Sequence, residues 1–221
     1  MDRVPVSDPR PLGHEFFERA RRRLTLDVPP GLADQAVPAT RGDLDLDPSL
    51  WERAGVTATR PAAVLVPVID RPEPTVLLTL RTANLGSHAG QIAFPGGKID
   101  AGDNSPVAAA LREAEEEIGL ERSLVDPIGH LDLYLTFSGF RILPTVARVD
   151  AGFRLRLNAS EVADAFEVPL AFLMDAQNHA LHSRDWKGVI RRYYAMPFGQ
   201  HYIWGVTAGI LRNLYERVYL G

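Results

Sequence analysis

The sequence predicts an α+β protein: a mixed β-sheet sandwiched between helices (α/β/α), with an N-terminal arm over residues 1–58 packed on a domain spanning 59–221. Three observations predict it. Short β-branched runs are separated by turn clusters, a single acidic helix interrupts them, and an amphipathic helix closes the chain.

Each element follows in order. The first 58 residues are rich in proline and charge, and His14–Leu24 sets Phe16, Phe17, Ala20 and Leu24 at helical spacing. Its Arg21–Arg23 run is either a solvated helix face or a phosphate patch. Then "AAVLVPVID" and "TVLLTLR" read as two strands joined by the turn cluster "RPEP". Residues 82–105 read as one loop leading into a helix from Ser105 to Ile118. Further strands are expected at "IGHLDLYLTF", "FRILPTVARV" and "RRYYAMPFG". "EVADAFEVPLAFLMD" reads as a strand followed by a turn or short helix. The last helix, within "GVTAGILRNLYERVYL", buries a stripe of Val206/Ala208, Leu211, Leu214 and Val218.

Composition sets the outer limits. The chain has 221 residues, 46% hydrophobic and 24% charged, enough for one elaborated globular domain. A net charge of −4 supplies no field that would draw nucleic acid or an anionic membrane. There is no cysteine, so any metal must be held by oxygen or imidazole. The start carries no apolar stretch of a signal peptide, and the strongest apolar run, Ala62–Val68, is too short to span a bilayer. A cytoplasmic location is expected.

"REAEEEIGL" (Arg112–Leu120) places Glu113, Glu115, Glu116 and Glu117 at the end of the acidic helix, before the stop at Gly119. The negative end of the helix dipole disfavours carboxylates there, and like charges at i,i+4 add to the cost. Ser105 is a good N-cap and Pro106 suits the first helical position. Val107, Leu111, Ala114 and Ile118 share an apolar face, with Glu113, Glu116 and Glu117 clustered on the opposite side. Arg112 can reach Glu116. A hard divalent cation, Mg²⁺ or Mn²⁺, is the counter-charge such a cluster asks for. Upstream, "FPGGKIDAGD" has adjacent glycines that permit a tight bend, and the Gly97 carbonyl can add an oxygen ligand.

These residues resemble the Nudix signature, G, five residues, E, seven residues, R-E-U-x-E-E-x-G-U, where U is aliphatic. Gly97, Arg112, Glu113, Ala114, Glu116, Glu117, Gly119 and Leu120 fall on it. Asp103 stands where Glu is usual, and eight residues separate it from Arg112. "LTLRTANLGSHAGQIAFPGG" (Leu78–Gly97) also resembles the coenzyme A pyrophosphatase branch, L-T-x-R then G-x-x-x-F-P-G-G, with Gly86 where Arg is expected.

The resemblance implies the Nudix fold and metal-dependent hydrolysis of coenzyme A or its derivatives to 3′-phosphoadenosine 5′-phosphate and 4′-phosphopantetheine. The same chemistry on ADP-ribose, NADH or another nucleoside diphosphate derivative is the alternative. It implies metal ligation by Gly97, Glu113, Glu116 and Glu117 and an orienting role for Arg112. Glu116 or Glu161, a carboxylate from a later loop, takes the proton from water. Substrate contacts are implied at Arg81, His88, Gly90, Phe94 and Gly96. For Arg81 a structural ion pair competes with a phosphate clamp. The expected partner is a small nucleotide of the coenzyme A class, with no nucleic acid and no membrane, and a homodimer is compatible with the reading.

Overall fold

A computed structural model of the chain describes residues 12–37, 39, 41–43, 45–47, 59–83, 89–186 and 188–220. In chain order the first elements are α1 (Leu12–Arg23), β1 (Arg41–Gly42), β2 (Arg60–Asp70), β3 (Thr75–Arg81), β4 (Ile92–Ala93), β5 (Gly96–Lys98) and α2 (Pro106–Ile118). Next come β6 (Val125–His130), β7 (Tyr134–Leu135), β8 (Phe140–Asp150), β9 (Val162–Pro169) and the single-turn helix α3 (Leu170–Leu173). Last are β10 (Ala180–Trp186), β11 (Val189–Phe198), β12 (His201–Trp204) and α4 (Val206–Tyr215), which runs on into a π turn, Glu216–Leu220.

The spine is the parallel pair β2 and β8, in register from Arg60 opposite Phe140 to Asp70 opposite Asp150. Both strands are buried on two faces, which is why both read as nearly continuous apolar runs. Side chains alternate. Ala63, Leu65 and Ile69 of β2 join Leu77 of β3 against Ala110, Ala114 and Ile118 of α2. Val66, Val68, Val76 and Leu78 face the other layer, with Phe16 and Phe17 of α1 and Leu211 and Leu214 of α4. A mixed sheet between helices is therefore the architecture. No described helix is long and apolar enough to cross a membrane.

β2 and β3 stay paired only near their turn, at Val68–Val76 and Ile69–Thr75, and then part. The wedge is filled by the segment expected to be a plain loop. There β4 pairs with β3 (Thr79–Ala93, Leu80–Ile92) and β5 with β2 (Ala63–Gly97, Val64–Gly96). Strands of two or three residues, one of them largely glycine, are too short to show a period in sequence. The expected strand at "IGHLDLYLTF" is likewise split into the end of β6 and β7. The expected strand at Arg191–Gly199 is β11, the centre of a separate antiparallel sheet with β10 and β12. Among the described residues, full burial in that sheet is confined to a few, Ala195, Met196 and Ile203, so its strands carry little apolar signal.

Residues 24–37 are held to the domain by Arg141 of β8. Its buried guanidinium donates to the carbonyls of Gly31, Val37 (2.7 Å) and Gln35 (3.0 Å), and to Thr59 Oγ1 (3.0 Å). Removing it strands the buried Gly31 carbonyl, at about 1–3 kcal/mol, and loses three further part-buried bonds. Arg141→Ala is expected to lower the urea midpoint by the equivalent of roughly 2–4 kcal/mol without changing the slope. It should also expose residues 24–37 to limited proteolysis.

Candidate active site

α2 begins and ends where its sequence signals lie. Ser105 Oγ accepts from the Ala108 N–H (3.1 Å), Pro106 occupies the first turn, and Gly119 takes the left-handed conformation at φ 68°. The faces differ from the expected ones. Val107 and Leu111 are only half-buried, and the inward side is Ala110, Ala114, Ile118 and also Glu117. Glu117 thus turns into the protein while staying close enough to Glu113 for that charge to act on it. A helical wheel locates the sheet below the helix but not the glycine loop that covers its flank.

The consequence is three glutamates in three environments. Glu117 is 3% exposed. Its Oε2 accepts from the Gly96 N–H (3.1 Å), and its Oε1 lies 3.8 Å from Arg81 Nη1. Burial pushes its pKa up to about 7, opposed by the Gly96 hydrogen bond and Arg81, and reinforced by the charges of Glu113 and Glu161. Glu113 is half-buried against Gly97, where a Cβ would come within 2.5 Å of its carboxylate. Burial raises its pKa as well, with Arg112 opposing and Glu116 and Glu161 adding to the rise. Glu116 is exposed and paired with Arg112 Nη1 at 3.1 Å. Glu115 lies outside the group and accepts from Arg122 Nε (2.8 Å).

Arg112 is the hub. It grips Asp103 with two bonds of 3.0 Å, reaches Glu113 and Glu116 at 3.1 Å each, and donates to the Lys98 carbonyl. Its hydrogen bonds hold the Asp103 carboxyl below its ordinary range. Asp103, at a variant position of the signature, therefore fixes the loop-to-helix junction through Arg112.

Gly96 and Gly97 are sterically required. A Cβ on Gly96 (φ 150°) would lie 2.4 Å from the Ala63 carbonyl oxygen. Gly90, at φ 69°, donates its N–H to the Arg81 carbonyl (3.2 Å). Arg81 closes the far side of the site, and its buried Nε has no hydrogen-bond partner among the described residues. Phe94 is 5% exposed and packs in the apolar layer, where it supports the loop from below. His88 lies outside the described residues. Glu161 sits at the start of β9, near enough for its charge to act on both Glu113 and Glu117. Arg191 lies over the Phe137 ring at 3.6 Å.

Among the described residues, no three His, Asp or Glu side chains converge into a ready-made metal cage. The donor set nonetheless fits a hard cation. Its members are oxygens. Burial raises the pKa of both Glu113 and Glu117, and neighbouring carboxylates add to it, Glu116 and Glu161 at Glu113 and Glu113 and Glu161 at Glu117, a repulsion that a cation would relieve. Mg²⁺ uses one or two carboxylates and fills its shell with water and substrate phosphate, so no closed cage is needed.

A hydrolase of pyrophosphate bonds is the class that this fold and site define. Residues 59–186 match the NUDIX domain, and the chain belongs to the Nudix family. It is 44% identical over 161 residues to NudL of Yersinia pestis (strain Pestoides F), named an uncharacterized Nudix hydrolase, covering 72% of this chain and 80% of that one. Among solved structures it is similar to a NUDIX hydrolase from Alicyclobacillus acidocaldarius (19% identity, 72% and 92% of the two chains, TM-score 0.46). It is also similar to the NUDIX domain of Shewanella oneidensis NrtR, solved with ADP-ribose (18% identity, 57% and 84%, TM-score 0.39).

The raised pKa of Glu117 has a stability consequence. The folded value of about 7 lies above the ordinary 4.5. Between those values the folded chain holds a proton that the unfolded chain has released, so stability falls as pH rises through the window. Glu117→Gln keeps an acceptor for Gly96 and removes the charge. In divalent-free buffer it is expected to stabilise the protein at pH 8 by roughly 2–3 kcal/mol and by little at pH 4.5, read as the difference in melting curves.

Proposed function

We propose that this Nudix pyrophosphatase cleaves the pyrophosphate bond of coenzyme A and its derivatives. Hydrolysis of a nucleoside-diphosphate-linked substrate is the general activity of the family. The observation that carries its chemistry here is the buried Glu117 beside Glu113, under the Gly96–Gly97 bend and opposite Arg81. The run Leu78, Thr79, Arg81, Gly90, Phe94, Pro95, Gly96, Gly97 supports coenzyme A as the substrate.

When bound, Mg²⁺ or Mn²⁺ neutralises pyrophosphate charge and lowers the pKa of water. Glu113, Glu117 and the Gly97 carbonyl would hold it, with Glu116 at the rim. Arg112 keeps Glu113 and Glu116 oriented through its fork of hydrogen bonds. Arg81, its side chain 26% exposed, offers its guanidinium to a phosphate oxygen. Glu161 takes the proton from the attacking water, for Glu116 is exposed and already tied to Arg112. Catalysis is then mainly positioning and charge stabilisation around an in-line displacement.

A second reading keeps this chemistry and changes the substrate to ADP-ribose, NADH or another nucleoside diphosphate derivative. It is favoured by Gly86, which leaves the loop one positive charge short of the coenzyme A branch pattern.

A panel of coenzyme A, ADP-ribose and NADH with Mg²⁺ or Mn²⁺, followed by phosphorus NMR, separates the two. Coenzyme A is expected to give the highest kcat/KM, and a higher value for ADP-ribose or NADH moves the assignment to the second reading. Chelation should abolish turnover. Glu117→Gln should lower kcat by about 10²–10³-fold, whereas a binding module without catalysis would show no turnover to lose.

A further inference from the structure

We propose that Asn158 is a positioning residue for the hydrolysis, aiming the Glu161 carboxylate at the Glu113–Glu117 pair. This rests on the reading of Glu161 as the proton acceptor. Asn158 stands in the connection between β8 and β9, forty residues beyond the end of the acidic helix, and lies outside the Nudix signature.

Every polar group of Asn158 is engaged. Its N–H donates to the Glu117 carbonyl (2.8 Å), fastening the connection to the C-terminal end of α2. Its carbonyl accepts from the N–H groups of Glu161 and Val162, each at 2.9 Å, which closes the turn that starts β9. Its Oδ1 accepts from Ser160 N–H (3.2 Å) and Ser160 Oγ (2.6 Å). That leaves Nδ2, which donates to Glu161 Oε1 at 3.2 Å.

The amide orientation is dictated by these partners. Two donors demand oxygen on one side and a carboxylate demands nitrogen on the other. Residue 158 thus ties the backbone of one site glutamate to the side chain of another. The turn is also fixed from a third direction. Thr82, at the end of the strand bearing Arg81, donates its N–H to the Glu161 carbonyl (3.0 Å) and its hydroxyl to the Ser160 carbonyl (3.2 Å). With the backbone held on both sides, the rotamer of Glu161 is the remaining freedom, and the Asn158 amide removes it. Groups that orient a catalytic carboxylate in this way are typically worth about 10–100-fold in activity.

Asn158→Asp separates positioning from a structural role. The aspartate keeps the oxygen that accepts from Ser160, so the turn survives. It loses the donor to Glu161 and sets like charges together. The expected result is a kcat lowered about 10–100-fold, a KM changed less than about threefold, and a melting temperature within a few degrees of the wild type. Asn158→Ser replaces the amide by a single shorter hydroxyl that cannot bond Ser160 and Glu161 together, and it adds no charge; it should show a smaller loss of the same kind.

The double variant with Glu161→Gln completes the test. If Asn158 acts through Glu161, adding Asn158→Asp to Glu161→Gln costs no further turnover. Wild-type kcat in both Asn158 variants while Glu161→Gln is inactive overturns the positioning role. Additive losses overturn it too, by showing that the residue 158 side chain acts independently of Glu161. Wild-type kcat in Glu161→Gln itself removes Glu161 from the chemistry, a failure of the underlying reading distinct from the other two.

Discussion

A single hydrogen bond from the Gly96 N–H to the buried Glu117 carboxylate sets the terms for the rest of this structure. An ionised carboxylate out of water is costly unless it is paired and fully hydrogen-bonded. Glu117 receives one backbone donor and a guanidinium at 3.8 Å, which is too little, and its pKa rises to about 7. The protein nevertheless invests its topology in that contact. β2 and β3 separate so that the loop can enter the sheet, and β5 lies against β2 at the width only Gly96 allows. At Gly97 the neighbour that would clash is the Glu113 carboxylate itself. Both glycines therefore bring backbone next to acidic oxygen.

The helix that carries these glutamates answers its own electrostatic problem only in part. Arg122 takes Glu115, and Arg112 is divided among Asp103, Glu113 and Glu116. Arg81 approaches Glu117 without a close contact. Carboxylates outnumber guanidinium groups around α2, and the deficit falls on the least solvated pair, Glu113 and Glu117. An exposed acidic face would relax into water. A covered one keeps its repulsion, which a bound cation would relieve.

Much of this was legible in the sequence because it is local. Ser105, Pro106 and Gly119 mark the ends of α2, and Phe16, Phe17, Ala20 and Leu24 mark the buried side of α1. The strands β2, β3 and β8 show as apolar runs because both faces are covered. The direction of Glu117 was not legible, since it depends on a loop folding over the helix flank. β4 and β5 were hidden by their shortness. Asn158 left only a faint trace, an Asn two residues before a Ser and three before a Glu, the spacing of an Asx turn carrying an acid. Nothing local says that such a turn will meet the end of a helix forty residues earlier.

That meeting explains how glutamates can crowd the unfavourable end of a helix. The carbonyls of Glu117 and Ile118 are among the groups that make a helix C-terminus negative. Here they accept from the N–H groups of Asn158 and Arg156, each at 2.8 Å, while Gly119 folds back on Glu115. Backbone donors quench the carbonyls at the end of the helix, and the guanidinium groups beside it, Arg112 and Arg122, are spent on Asp103, Glu113, Glu115 and Glu116. The same docking brings in Glu161, in the turn just before β9. Terminating α2 and assembling the site are one structural event, and a sequence that satisfied the helix end with a basic side chain instead would cap the helix and leave Glu161 unplaced.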